Sequence, residues 1–242
     1  MRIAVIGRGH VGGGLGDLWE RDGHQVTRIG RDGGDVSDAE VALVAVPGGA
    51  IGEALEKVKG LEGKTVIDAT NLYGDVPPDG FPSNAEFVKS KANGPTAKAF
   101  NLNFAALYPR LGEARARPSD LWCGDAEARE VVEQLNRDAG YDPVYMGPIE
   151  IASALEAMNE GIDAIGREMG PYVFRIAPPE HCDLSLRRLL GFSTGRRKPP
   201  LAAHHTRPSR PPDQTGVPEK IAGFVLRAGK RLFERRLPSG LP

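Results

Sequence analysis

The chain of 242 residues predicts an α/β fold, a doubly wound, mostly parallel sheet with an abbreviated second crossover and a C-terminal helix. Three observations carry that prediction. Short, nearly continuous apolar runs such as RIAVI and VALVAV alternate with stretches of helical periodicity, as strands buried on both faces require. A glycine-rich turn stands directly after the first run and opens the first helix. Apolar residues make up 40% of the chain, enough to fill a sizeable core.

Taken in order, Arg2 to Ile6 is the first buried strand, and Gly7 opens the loop after it. A helix begins near His10, with Val11, Leu15, Leu18 and Trp19 at helical spacing, and DGHQV turns the chain into a strand over Gln25 to Ile29. Between Arg31 and Val41 there is too little chain for a crossover helix, so the second crossover is cut short. Val41 to Val46 is the next strand, and Ile51, Leu55 and Val58 mark an amphipathic helix. Thr65 to Asp68 is a strand; Ser83 or Asn84 caps a short helix through Phe87 and Val88; TAKAF is another strand.

LWCGD ends a strand at a helix start where Asp125 suits the N-cap. The helix face is Ala128, Val131, Val132, Leu135 and Ala139, and Gly140 ends it in a left-handed conformation. DPVYM follows as a strand with Tyr141 as its lead-in. The last regular element runs from Ile149 to Met169, with Ile151, Leu155, Met158, Ile162, Ile165 and Met169 on one side and Glu156, Glu160 and Asp163 on the other. Such a stripe serves a core or a subunit interface, which leaves a homodimer open.

The net charge of −1 conceals an asymmetry. From Cys182 onward there are 13 Lys and Arg against 4 Asp and Glu, whereas the preceding residues carry 18 against 28. Residues 1–180 are therefore expected to form the folded domain, and 181–242 a basic Pro- and Arg-rich tail, largely disordered, with one amphipathic segment over 219–236. Two cysteines, Cys123 and Cys182, support neither a disulfide framework nor a metal site. The longest apolar stretch, VALVAVPGGAI, is broken by Pro47 and two glycines and is too short to span a bilayer. The N-terminus enters a strand pattern at once, so a cytoplasmic address is expected, with no nucleic-acid partner.

Gly7-Arg8-Gly9-His10-Val11-Gly12 forms the G-x-G-x-x-G fingerprint of a dinucleotide-binding Rossmann domain, between a buried strand and a helix. Gly7 permits the tight turn, Gly9 lets a pyrophosphate approach the backbone, and Gly12 brings helix and strand together. The tip of the second strand separates NAD from NADP, because an acidic side chain there bonds the ribose hydroxyl whereas arginine accommodates a 2′-phosphate. The chain has TRIGRD at that place, which makes Arg28 and Arg31 the expected phosphate ligands and NADP the expected cofactor. Asp32 beside them is the one carboxylate that would favour NAD.

The segments MRIAVIGRGHVGGGLGDLW, VTRIGRD, VALVAVPGGAI, KTVIDATN, AKAFN and CGDAEAREVVEQLNRDAGYDPVYMGPIE, in this order, resemble the NADPH-dependent coenzyme F-420 reductase family. The N-terminal domain of that family is also similar to that of pyrroline-5-carboxylate reductases. The resemblance covers about residues 1–180. It implies that Arg31 holds the 2′-phosphate, that Val46 and Pro47 flank the nicotinamide half, and that Ala69, Thr70 and Asn71 line the same crevice. It places Phe100 and Asn101 near the acceptor, and it implies a deazaflavin, coenzyme F-420, as co-substrate. Hydride would then pass between two flat rings held face to face, with no metal and no catalytic side chain required. The chain departs from the family in the short segment between Arg31 and Val41 and in the continuation beyond Pro178. Two other functions fit the same motifs: a non-catalytic NADP-binding sensor or interaction module, and an imine reductase.

Overall fold

The computed structural model describes residues 1–178; the basic tail, the segment 219–236 and Cys182 lie outside the described residues. Seven strands form the main sheet. In chain order the elements begin with β1 (Arg2–Ile6), α1 (His10–Arg21), β2 (Gln25–Ile29), β3 (Gly34–Asp35), β4 (Val41–Val44), α2 (Ile51–Glu56), β5 (Val58–Lys59) and β6 (Thr65–Asp68). They continue with α3 (Asn84–Ala92), β7 (Thr96–Lys98), β8 (Ser119–Gly124), α4 (Arg129–Asp138), β9 (Asp142–Gly147) and α5 (Ala152–Met169).

The main sheet runs β2-β1-β4-β6-β7-β8-β9, and only the β7–β8 pair is antiparallel. The fold is thus the mostly parallel α/β sheet expected from the apolar runs. Because β1 lies between β2 and β4, successive connections leave it in opposite directions, and a crevice opens at the carboxyl ends of β1 and β4.

Strand pleating sorts the core. Ile3, Val5, Val41 and Leu43 face α1 and α4, where Trp19 is fully buried and donates its indole N–H to the Leu135 carbonyl at 2.9 Å. Ala4, Ile6, Ala42 and Val44 face the other way, onto Ile51, Leu55, Phe87 and Val88 of α2 and α3. A third cluster joins Leu121 and Cys123 of β8 to Ala152 and Leu155 of α5. No helix among the described residues is long and apolar enough to cross a membrane.

The abbreviated crossover is real: the two residues of β3 stand where a helix would, and they pair in parallel with β5. This corrects Val58, which belongs to β5 and not to the preceding helix. The strand expected over Val41 to Val46 ends at Val44, since Pro47 has no N–H to continue a ladder and leads into a 3-10 turn at Gly48–Ala50. Likewise β7 stops at Lys98, because Phe100 takes a left-handed φ of 63°.

Ser83 is the cap of α3; its hydroxyl accepts the Glu86 N–H at 3.1 Å, while Asn84 turns inward. Asp125 stands at the N-cap position of the 3-10 turn Ala126–Ala128 that leads into α4, but its carboxylate makes no capping bond and binds the Thr96 N–H at 2.9 Å and Lys89 instead. Gly140 ends α4 with φ 96°, as expected. On α5 the apolar stripe does not coincide with the buried face. Leu155 is buried, but Ile165 and Met169 are exposed, and the sheet side carries Glu156 and Asn159 instead. The reason is a polar demand from the sheet, met at the site below.

Candidate functional site

The crevice is built from the loops that leave β1, β4, β6 and β7. The turn after β1 is compelled by packing: Gly7 has φ 107°, and a Cβ there would stand 2.3 Å from the Ala45 carbonyl oxygen. A Cβ at Gly12 would stand 2.1 Å from the Gly7 oxygen and 2.9 Å from Val5. Gly9 differs, since a Cβ on it would meet nothing within 4 Å. It begins α1 without a side-chain cap, so the first amides of that helix, at His10, Val11 and Gly12, have no intrahelical partner. Backbone and dipole there suit a diphosphate, which gives the open side of Gly9 a use.

The tip of β2 is arranged differently from the expectation. Arg28 does not reach the crevice; its guanidinium is held by Asp17 at 2.6 Å and Glu20 at 2.7 Å on the flank of α1. The strand pleat decides this, because Arg28 points to the α1 side, where two carboxylates wait one helical turn apart. Arg31 lies on the turn after β2, exposed and without an ion pair among the described residues. Arg8, from the fingerprint loop, lies across Gly30, with Nη2 2.3 Å and Cζ 2.7 Å from where a Gly30 Cβ would be. The guanidinium that stands at the strand tip is therefore that of Arg8.

The remaining residues form a continuous floor. Val46 reaches the fingerprint turn, its Cγ1 3.2 Å from the Cβ position of Gly7, and Pro47 is exposed beside it. Ala69 donates its N–H to Val44 at 2.9 Å, carrying the loop after β6 alongside that after β4. Gly48 packs on the Asn71 carbonyl so closely that a Cβ would approach it to 2.2 Å. Asn71 donates to the Asn101 carbonyl at 2.6 Å and accepts from the Asn101 amide at 3.0 Å, locking the loops after β6 and β7 together. Phe100, by contrast, turns its ring into the core, edge-on to Trp19 and Tyr141 at 5.8 and 6.3 Å, and does not line the crevice.

Beneath this floor lies a charged network that the sequence reading missed. Lys98 is fully buried and donates to Asp68 at 2.7 Å, to the Thr70 carbonyl at 2.6 Å and to Glu156 at 2.9 Å. Asn84 extends it, donating its amide to the Thr70 hydroxyl and its N–H to Glu156. Burial raises the Glu156 carboxyl above its ordinary value, against the pull of Lys98. The available signal was a lysine and an aspartate inside otherwise apolar strands, where an ionised group must find a partner.

A second buried acid, Asp120 on β8, accepts the Phe100 N–H with both oxygens, at 3.0 and 3.1 Å, and the Asn103 amide at 2.7 Å. Loss of water pushes its pKa up to about 7 although those bonds favour the anion. It holds the left-handed turn that delivers Asn101. The side chains lining the floor, Val46, Pro47, Thr70 and Asn71, carry no titratable group, which suits alignment of reactants more than acid–base work.

No protein-family model matches the chain, and no curated protein matches it. Solved structures do. A provisionally assigned F420-dependent NADP-reductase from Arthrobacter sp. FB24 is similar at 24% identity and a TM-score of 0.62, covering 74% of this chain and 100% of its own. A reductive aminase from Aspergillus terreus, in complex with NADPH and ethyl levulinate, is similar at 15% identity and a TM-score of 0.51. That match covers 69% of this chain and 61% of the aminase. An imine reductase variant from Myxococcus stipitatus, in complex with NAD+, is 17% identical with a TM-score of 0.51, over 80% of this chain and 67% of its own. These likenesses establish the Rossmann-like α/β fold.

Proposed function

We propose that the chain is an NADP-dependent oxidoreductase that passes hydride between NADPH and a small acceptor, with a deazaflavin such as coenzyme F-420 as the acceptor class. The observation that carries the reading is the division among the three fingerprint glycines. Gly7 and Gly12 are required by the protein's own packing, whereas Gly9 faces open space beside uncapped helix amides, where a diphosphate would lie. Similar folds solved with NADPH or NAD+ and the F420-dependent assignment of the Arthrobacter protein support it.

When bound, the nicotinamide supplies the hydride chemistry. The chain's part is placement. Val46 and Pro47 present an apolar edge that keeps water from one face, and the Asn71–Asn101 pair sets the separation of the two loops that flank an acceptor.

Titration calorimetry with NADPH and NADH tests the cofactor, and NADPH oxidation by a panel of deazaflavin, flavin and cyclic imines tests the acceptor. Binding of NADPH with oxidation by deazaflavin is the expected result. Oxidation by imines alone would make the chain an imine reductase, and binding without turnover a nucleotide-dependent sensor. Uptake of neither nucleotide rejects the reading at its base.

A further inference from the structure

We infer that His24, Asp138 and Asp22 hold one divalent transition ion of the zinc class, which ties the end of α1 to the end of α4. The site is separate from the crevice and stands whether or not a nucleotide binds there. His24 immediately precedes β2 and faces Met1, immediately before β1, so the group lies at the amino ends of those strands. The crevice opens at the carboxyl ends of β1 and β4.

Two distant segments bring the three side chains together. Asp22 is the C-cap of α1, and Gly23, with φ 90°, turns the chain so that the His24 N–H donates to the Trp19 carbonyl at 3.0 Å. Asp138 is the last residue of α4, 114 positions further on. His24 Nε2 stands 2.9 Å from Asp138 Oδ2, and the two side chains are only 9% and 10% exposed. The other Asp138 oxygen accepts the Gln134 amide at 2.7 Å, which fixes the carboxylate toward the imidazole. Exposed Asp22 completes the group, one donor atom from each residue lying within 4.8 Å of the others.

The place of the acids calls for a cation. The carbonyls at a helix C-terminus carry partial negative charge, which disfavours an acidic side chain there and favours a positive group. Here α1 and α4 bring two such ends together, each with an aspartate. Arg21 and Arg137, in the last turns of those helices, go instead to the Asp17 carbonyl and to Glu133. Among the described residues neither Asp22 nor Asp138 has a lysine or arginine in ion-pair contact, and the Met1 amine meets the other ring nitrogen, Nδ1, at 3.2 Å.

One imidazole and two carboxylates suit zinc and its first-row neighbours better than magnesium or calcium, which take oxygen donors. Donors about 2.0–2.2 Å from such an ion stand roughly 3 Å or a little more from one another. His24 and Asp138 already have that spacing, and Asp22 closes on the ion from the solvent side. The ion takes the place of the hydrogen between Nε2 and Asp138, and water fills the remaining position. Because folding alone assembles the three donors, the ion stabilises the folded chain.

The test uses the full chain without an affinity tag, stripped with EDTA, in calorimetry and thermal melts with Zn(II), with Mg(II) or without metal. Wild type is expected to bind Zn(II), to melt several degrees higher with it and to show no response to Mg(II). His24→Gln keeps an amide that can donate to Asp138 but removes the imidazole. It should melt near wild type without metal, lose most of the Zn(II) shift and bind the ion at least tenfold more weakly. Asp138→Asn should lose the shift likewise, and Asp22→Asn part of it. His204 and His205 lie outside the described residues and offer imidazoles of their own, so His204→Ala/His205→Ala serves as the control and should keep the shift.

No Zn(II)-dependent rise in wild type overturns the inference. So does a rise that His24→Gln retains in full or that His204→Ala/His205→Ala abolishes; His24 and Asp138 are then a hydrogen-bonded pair and nothing more. Nucleotide uptake, measured separately, bears on neither outcome.

Discussion

Lys98 and Asp68 sit opposite each other in register on β7 and β6, with Nζ 2.7 Å from the carboxylate and both side chains fully shielded from water. Glu156 of α5 completes the contact at 2.9 Å. One cation thus stands between two acids under the floor of the crevice, joining two strands to the last helix.

Removing that cation is expected to be costly. Lys98→Met leaves two buried carboxylates without a neutralising charge, held only by the Thr70 and Asn84 N–H groups, and such breakage costs about 3–5 kcal/mol. Urea denaturation should show it as a lower midpoint. Glu156→Gln keeps a hydrogen-bond acceptor for Lys98 and leaves a neutral Lys98–Asp68 pair, so its midpoint should stay much closer to wild type.

Stability should fall between acid and neutral pH, through Asp120. Its folded pKa, about 7, lies above the ordinary 3.8, so the native state binds the proton more tightly than the unfolded chain. The contribution is complete below pH ~4 and is lost as pH rises through about 7. Glu156, also raised, adds the same sign. Melting temperatures of wild type and Asp120→Asn across this range check it: the variant should show the shallower decline.

The fingerprint glycines should separate folding from binding. Gly12→Ala places a Cβ 2.1 Å from the Gly7 oxygen and should destabilise the fold by about 1–3 kcal/mol. Gly9→Ala meets no protein atom and should melt close to wild type, yet it should weaken NADPH binding by crowding the diphosphate. Calorimetry beside thermal melts distinguishes the two effects.

The reciprocal pair Asn71–Asn101 should be energetically coupled. A double-mutant cycle with Asn71→Ala and Asn101→Ala is expected to give an interaction of about 1 kcal/mol, the net value of ordinary hydrogen bonds. Additive effects in chemical denaturation would show that the two loops hold their positions by other means.

Much of the architecture was legible along the chain. The run RIAVI, the turn from Gly7 to Gly12 and the missing crossover helix after Arg31 are local patterns with local causes, and each lies where the spacing placed it. The strand that ends at Asp68, just before Ala69, Thr70 and Asn71, was legible in the same way. Arg28 and Phe100 did not follow. A strand residue's side is settled by the pleat, but what waits on that side, Asp17 and Glu20 for one and Trp19 and Tyr141 for the other, comes from distant sequence.

By itself the sequence determined an alternating α/β chain with a tight glycine turn between the first strand and the first helix, because burial period and backbone freedom are properties of neighbouring residues. Only the tertiary structure decided which arginine stands at the tip of β2, which face of α5 is buried and where the charge of Lys98 is satisfied. Those outcomes depend on pairing a side chain with a partner brought near by folding, and the low dielectric of the interior makes that pairing decisive.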